Sequence, residues 1–144
     1  MRNVTKAALT GLIAAPVLTI GLATPGNAST TSLGGGATLT VVKEGSVQAQ
    51  AACNAKKNYC YRFYSKANFK GNLDIVRLPK SWKGQPCLDF GGTTIKVGSL
   101  KTPGRGIFSM RTKRGCKGNP SMSYTKNAKV KNAGGFKMKS FRAI

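Results

Sequence analysis

From Cys53 onward, apolar and polar positions alternate in short runs: YCYRFYS (59–65), LDIVRL (73–78), TTIKVGSL (93–100), GIFSMRT (106–112), SMSYT (121–125) and FKMKSFRAI (136–144). Gly, Pro and Asn separate them. A period of two over such short lengths places successive side chains on opposite faces of a strand. No window of this region carries the 3.6-residue period of an amphipathic helix. Many short strands with regular turn signals predict an all-β sandwich.

The N-terminal part has a different pattern. Arg2 and Lys6 precede an almost wholly small or apolar run from Ala7 to Ala23, with Gly26 and Ala28 at the −3 and −1 positions of a cleavage before Ser29. This predicts an export signal over residues 1–28. Pro16 and Gly21 interrupt the run, which is shorter than a spanning helix requires. Residues 29–52 contain no aromatic residue, no Cys and a Gly triplet, and only LTVV has strand character. Such a segment holds little apolar surface to offset the entropy of ordering it, so it reads as a propeptide or flexible linker. The expected folded unit is residues 53–144.

That unit contains the four cysteines, Cys53, Cys60, Cys87 and Cys116. An even number in a short exported chain predicts two disulfides, with three possible pairings. Their spacing does not suggest zinc, and the chain has no His to join them.

Two segments repeat 47 positions apart: Lys70-Gly71-Asn72 and Lys117-Gly118-Asn119. The alignment runs from Phe63 over Met110, and in each copy a strand leads into a tight bend with a Gly at its exit. A second echo follows, with Lys96-Val97-Gly98-Ser99 over Lys137-Met138-Lys139-Ser140. The order hairpin, Ser strand, hairpin, Ser strand is an internal duplication.

These residues resemble the βγ-crystallin family, whose Greek-key motif has an aromatic, four residues, an aromatic, one residue, then Gly. Tyr64, Phe69 and Gly71 match it in full, and Gly118 holds the Gly place in the second copy. The resemblance implies one domain of two Greek-key motifs, about 58–101 and 105–144. It also implies that Ser99 and Ser140 tie down the two hairpins. The second copy departs from the pattern: Arg111 and Cys116 stand where the aromatics would be, so a disulfide is expected to replace ring packing there. Thr94, Ile95, Gly135 and Phe136 occupy the places where calcium-binding relatives have acidic or amide ligands. Calcium needs six to eight oxygens, usually with carboxylates among them, so no metal or cofactor is expected.

Charge then narrows the function. The chain has 24 basic and three acidic residues, a net charge of +21. After Cys53 the side-chain carboxylates are Asp74 and Asp89, and neither stands in a catalytic context. Without His, a Ser or Cys nucleophile lacks its usual base. The reading is of a non-enzyme drawn to anionic surfaces. Nucleic-acid binding would be unspecific and, for an exported protein, incidental.

The family resemblance extends to a branch of small secreted killer-toxin-like antimicrobial proteins and microbial metalloprotease inhibitors. The first reading is a secreted, monomeric antimicrobial or antifungal protein that binds cell-wall polymers or membrane lipids of a target microbe. Its expected contacts are Lys80, Trp82 and Lys83 in PKSWKG, and Lys126, Lys129 and Lys131 in TKNAKVKN. The alternative is a secreted protease inhibitor presenting KTPGRG (101–106), with Arg105 as a contact. A structural role in an extracellular matrix is a third reading.

Overall fold

A computed structural model of the chain describes residues 28–45, 53–82 and 87–143. The expected signal segment, apart from Ala28, therefore lies outside the described residues. Strands β1 (Ala28–Gly34), β2 (Ala37–Val42), β3 (Asn58–Tyr64) and β4 (Leu73–Pro79) come first. Next are β5 (Leu88–Asp89), β6 (Ile95–Val97), β7 (Ser99–Lys101) and β8 (Phe108–Arg111). A short 3-10 turn over Arg114–Cys116 precedes β9 (Met122–Tyr124), β10 (Lys129–Val130), β11 (Phe136–Met138) and β12 (Ser140–Ala143). The fold is all-β, and its strand pairs are antiparallel.

A six-stranded sheet has the order β1-β2-β4-β3-β7-β10 and a four-stranded sheet the order β5-β12-β8-β9. The alternation noted in the sequence sorts their faces. Tyr61 and Phe63 of β3 point inward, as do Phe108 and Met110 of β8 and Phe141 of β12, and all five are fully buried. Tyr61 meets the rings of Phe108 and Phe141 at centroid distances of 5.4 and 5.3 Å, and Phe63 meets Phe108 at 5.6 Å. These aromatic contacts join the two sheets. Burial pushes the Tyr61 hydroxyl up to about 12.

The duplication in the sequence is also a duplication of connectivity. Leaving aside β1 and β2, the six-stranded sheet runs β4-β3-β7-β10, and the other runs β9-β8-β12-β5. Each takes three strands from one half of the chain and its outermost strand from the other half. Between them β6 pairs with β11, placing Val97 opposite Phe136, Lys96 opposite Lys137 and Ile95 opposite Met138. Exchanging equivalent residues of the two copies maps this ladder onto itself, so the halves are related by a local twofold through the Lys96–Lys137 pair.

The two hairpins close in the same way. Ser99 Oγ accepts from Phe69 N at 2.8 Å and donates to Lys66 O at 2.7 Å. Ser140 Oγ accepts from Cys116 N at 3.1 Å and donates to Lys113 O at 2.6 Å. Asn68 and Phe69 take φ of 56° and 59°, and their counterparts Gly115 and Cys116 take 60° and 52°. Gly71 and Gly118 both have positive φ, 87° and 74°, as the bend requires. In the first hairpin Tyr64 and Phe69 pack edge to face at 5.5 Å. In the second, Cys116 bonds to Cys87, and the buried Arg111 donates from Nη1 to Gly118 O.

Ser99→Ala leaves a backbone N–H and a carbonyl without their partner at a buried position. It is expected to cost about 1–3 kcal/mol in urea unfolding. Ser140→Ala should cost less in the oxidised protein, because the Cys87–Cys116 bridge still holds that hairpin. Equal losses would show that the bridge does not share the serine's task.

The structure corrects the expectation for residues 29–52 as far as Gly45. β1 and β2 form a hairpin, and β2 pairs with β4 over five residues, from Thr38 opposite Arg77 to Val42 opposite Leu73. Ala37, Leu39 and Val42 are buried. Leu39 and Ala37 join the main core, while Val42 joins a second cluster with Cys53, Cys60, Leu73 and Ile75. Glu44 continues the attachment: Oε2 pairs with Lys66 at 2.9 Å and Oε1 accepts from Gly71 N at 3.0 Å. Those hydrogen bonds, the one from Lys66 first, lower the Glu44 pKa. Three buried apolar side chains and pairing to an open strand edge are sufficient here, although the segment is poor in apolar residues. Residues 46–52 lie outside the described residues.

A candidate cationic face

The cysteines pair as Cys53–Cys60 and Cys87–Cys116. The first bridge lies on the outer face of the six-stranded sheet, where it covers Ile75 and Leu73. Beyond this covered patch the same face becomes basic. Arg62 of β3 stands directly opposite Lys101 of β7, and Lys101 stands directly opposite Lys129 of β10. Facing residues on paired strands share a face, with Cβ atoms about 5 Å apart, and like charges in that position destabilise the sheet. Three cations thus form a row across three adjacent strands. Among the described residues there is one ion pair, Lys66–Glu44, and it lies outside the row. The corresponding pair in the other sheet is Ser109 opposite Arg142, so the concentration of charge belongs to the first sheet.

Aromatic rings partly offset the repulsion. Lys101 Nζ lies 4.4 Å from the Phe69 ring centroid and 5.8 Å from that of Tyr64. The hairpin that Ser99 closes therefore also positions a cation of the row.

The expected contact residues divide into three groups. Lys80, Lys126, Lys129 and Lys131 are exposed. The backbone around the last three is held firmly: Ala128 N donates to Thr102 Oγ1 at 2.7 Å, and Lys131 O accepts from Asn68 N at 2.7 Å. Lys83 lies outside the described residues. Trp82 is corrected: it is 6% exposed and belongs to the main core. The β1–β2 turn covers it so closely that a Cβ at Gly35 would lie 3.2 Å from its indole nitrogen. A large ring in a small core is worth more inside than on a lysine-rich surface.

Arg105 is held in place as well. Its guanidinium lies 5.0 Å from the Tyr59 ring centroid and 5.8 Å from that of Trp82, and its Nη1 donates to Trp82 O at 3.1 Å. The 101–106 segment is thus pinned at the residue expected to be its free contact. The exposed large apolar residue of this region is Ile107, at 54%.

Sequence reading missed Arg62 and Lys101. Each follows from alternation as an outward residue, but their alignment requires knowing that β3 is flanked by β7 and β7 by β10. The available signal was Arg62 itself, a charged residue at the centre of an otherwise aromatic strand.

Asp74 is the carboxylate whose environment disfavours its charge. It lies on the inner side of β4 opposite Val41 and Phe63, and it lines a cavity of about 420 Å³ shared with Lys66, Lys96 and Thr94. Burial pushes its pKa from 3.8 up to about 6. Below the lower value both folded and unfolded chains hold the proton, and no penalty exists. As pH rises the unfolded chain ionises first, so stability falls between about pH 4 and 6 and stays reduced above it. Asp74→Asn is expected to remove this pH dependence and to gain on the order of 2 kcal/mol at pH 7. Chemical denaturation at pH 4 and 7 tests it, and an unchanged difference between the two pH values would refute the assignment.

No group of three or more potential metal ligands occurs among the described residues, and none of their helices is long and apolar enough to cross a membrane. Compared with known proteins, the chain matches no protein-family model, no curated protein and no solved structure.

Proposed function

We propose that this chain is a secreted, strongly cationic antimicrobial protein of βγ-crystallin-like design, which captures anionic polymers or lipids on the surface of a target microbe. The observation that carries this reading is the Arg62–Lys101–Lys129 row. A sheet that sets three cations side by side without a carboxylate partner forgoes stability. An external anion relieves that repulsion, which a solubility role for the lysines does not require. The crystallin-like reading is supported by the two serine-closed hairpins and by the exchange of outer strands between the two sheets. Export agrees with the two disulfides and with the signal-like N-terminus. The mechanism is capture by a rigid, disulfide-stapled face, since no described segment is a lytic amphipathic helix.

The test is growth of a yeast, a filamentous fungus and a Gram-positive bacterium exposed to oxidised protein spanning 29–144, at low and physiological salt. Killing should weaken steeply with salt, because exposed charges are screened beyond roughly 8 Å at 0.15 M. The triple variant R62E/K101E/K129E should lose at least about tenfold in potency while keeping its fold. A triple variant as potent as the parent would overturn the reading. An absence of killing at low salt would send the protein to a panel of secreted proteases, where cleavage after Arg105 tests the inhibitor alternative.

A further inference from the structure

The cationic row ends at a cavity of about 430 Å³ between β3, the end of β4 and the segment that joins the two halves of the chain. Arg62 and Lys80 line it together, and no carboxylate does. Tyr59 and Pro103 supply apolar walls. Thr102 also borders it, but its hydroxyl is committed, donating to Thr125 O at 3.0 Å and accepting from Ala128 N at 2.7 Å. Asn58 lines it too, with its Nδ2 donating to Asn54 O at 3.3 Å, and the charged chemistry that a guest meets is cationic: a guanidinium fork and an ammonium. Arg105, stacked on Tyr59, adds a third positive charge behind the wall.

We infer that this cavity is a seat for a phosphoryl group, the point at which a phosphate-bearing polymer or lipid is gripped and not merely attracted. The inference rests on the proposed capture of anionic surfaces and names the anion. A guanidinium matches two oxygens of a tetrahedral phosphate at once, whereas a lysine acts as a point charge beside it. Two cations suit a group that can carry up to two negative charges better than a single carboxylate. The volume falls in the range of small-ligand sites and exceeds that of a bare ion. It accommodates the phosphoryl group together with the unit that carries it, against Tyr59 and Pro103. Lys101 and Lys129 continue the track outward, so further phosphates of the same guest meet further cations.

The experiment is a ¹⁵N NMR titration of the oxidised protein with inorganic phosphate, and separately with acetate, at constant ionic strength. Phosphate should give saturable shifts at Asn58, Arg62, Thr102 and Gly104, including the Arg62 side-chain Nε. Acetate should not. R62Q and K80Q should each weaken the saturable phase at least about tenfold, while K117Q, at an exposed lysine in the second hairpin, leaves it unchanged. Because Lys80 is exposed, K80Q gives a reading even if R62Q disturbs β3.

Glycerol phosphate oligomers and phosphatidylglycerol vesicles then identify the carrier: the one whose binding R62Q weakens is the source. Diffuse, unsaturable shifts over the lysine surface would overturn the seat, as would equal effects of acetate or indifference of both carriers to R62Q. If polyanion capture still depends on R62E/K101E/K129E in that event, the proposed function stands without the seat. Loss of both would refute the two together.

Discussion

Gly98→Ala should be the most damaging single-methyl change in the protein, with no folded product or an unfolding midpoint lowered by at least about 15 °C. A Cβ at Gly98 would lie 2.5 Å from the Lys66 carbonyl carbon and 2.7 Å from its Cα. Both are backbone atoms of the first hairpin, so no side chain can swing aside. The same backbone is fixed by Gly98 N donating to Tyr64 O at 2.7 Å and by Ser99 Oγ donating to Lys66 O. Overpacking in a responsive site costs about 1–3 kcal/mol, and here relief requires moving a strand, so the cost should exceed that range.

The second half of the chain supplies a control. Lys139 occupies the equivalent position, and its N–H donates to Arg111 O at 2.9 Å just as that of Gly98 does to Tyr64 O. Lys139 nevertheless carries a full side chain, which is exposed. Lys139→Ala should therefore be nearly silent. Circular dichroism melts of the two variants, side by side, decide the matter. A Gly98→Ala protein that melts with the parent would mean that the hairpin lies farther from β7 than described.

The second large effect concerns the Cys87–Cys116 bridge. It spans 29 positions, against seven for Cys53–Cys60. On loop-closure entropy alone, losing the longer bridge costs about 3.6 kcal/mol and losing the shorter about 2.4 kcal/mol. The longer bridge also takes the place of an aromatic pair. Where the first hairpin has Phe69 against Tyr64, the second has Cys116, held at φ 52° and bonded across to Cys87, just before β5. Cys87→Ala/Cys116→Ala should accordingly lower stability by about 4 kcal/mol or more, and Cys53→Ala/Cys60→Ala by less. Urea titrations of both double variants test the order. A reversed order would place the main constraint on the patch over Ile75.

The duplicated hairpins could be read from the sequence because they depend on local chemistry. A tight bend needs positive φ near its exit, Gly supplies it at 71 and 118, and each copy is followed by a strand that begins with Ser, at 99 and 140. Asn68 over Gly115 and Phe69 over Cys116 then agree in backbone angle as well as in alignment. Of residues 28–42 only LTVV showed strand character, and their attachment to the fold was missed for the opposite reason. ASTTSLG has no distinctive chemistry, and its strand exists because β2 meets the free edge of β4. That is a non-local event, which composition does not encode. Trp82 was misplaced on similar grounds: flanking lysines marked it as exposed, while the Gly35 turn, 47 positions earlier, covers it. The cationic row is intermediate. Each member was visible as an outward residue, but the row itself depends on strand order.

The exchange of outer strands has a mechanical consequence. β5 belongs to the first half yet completes the second sheet, and β10 does the converse, so the halves are interlocked like clasped hands. Neither can come undone while the other stays whole. A protease that nicks the joining segment would leave both pieces gripping each other. In the extracellular role proposed above, one cut would not amount to disarmament.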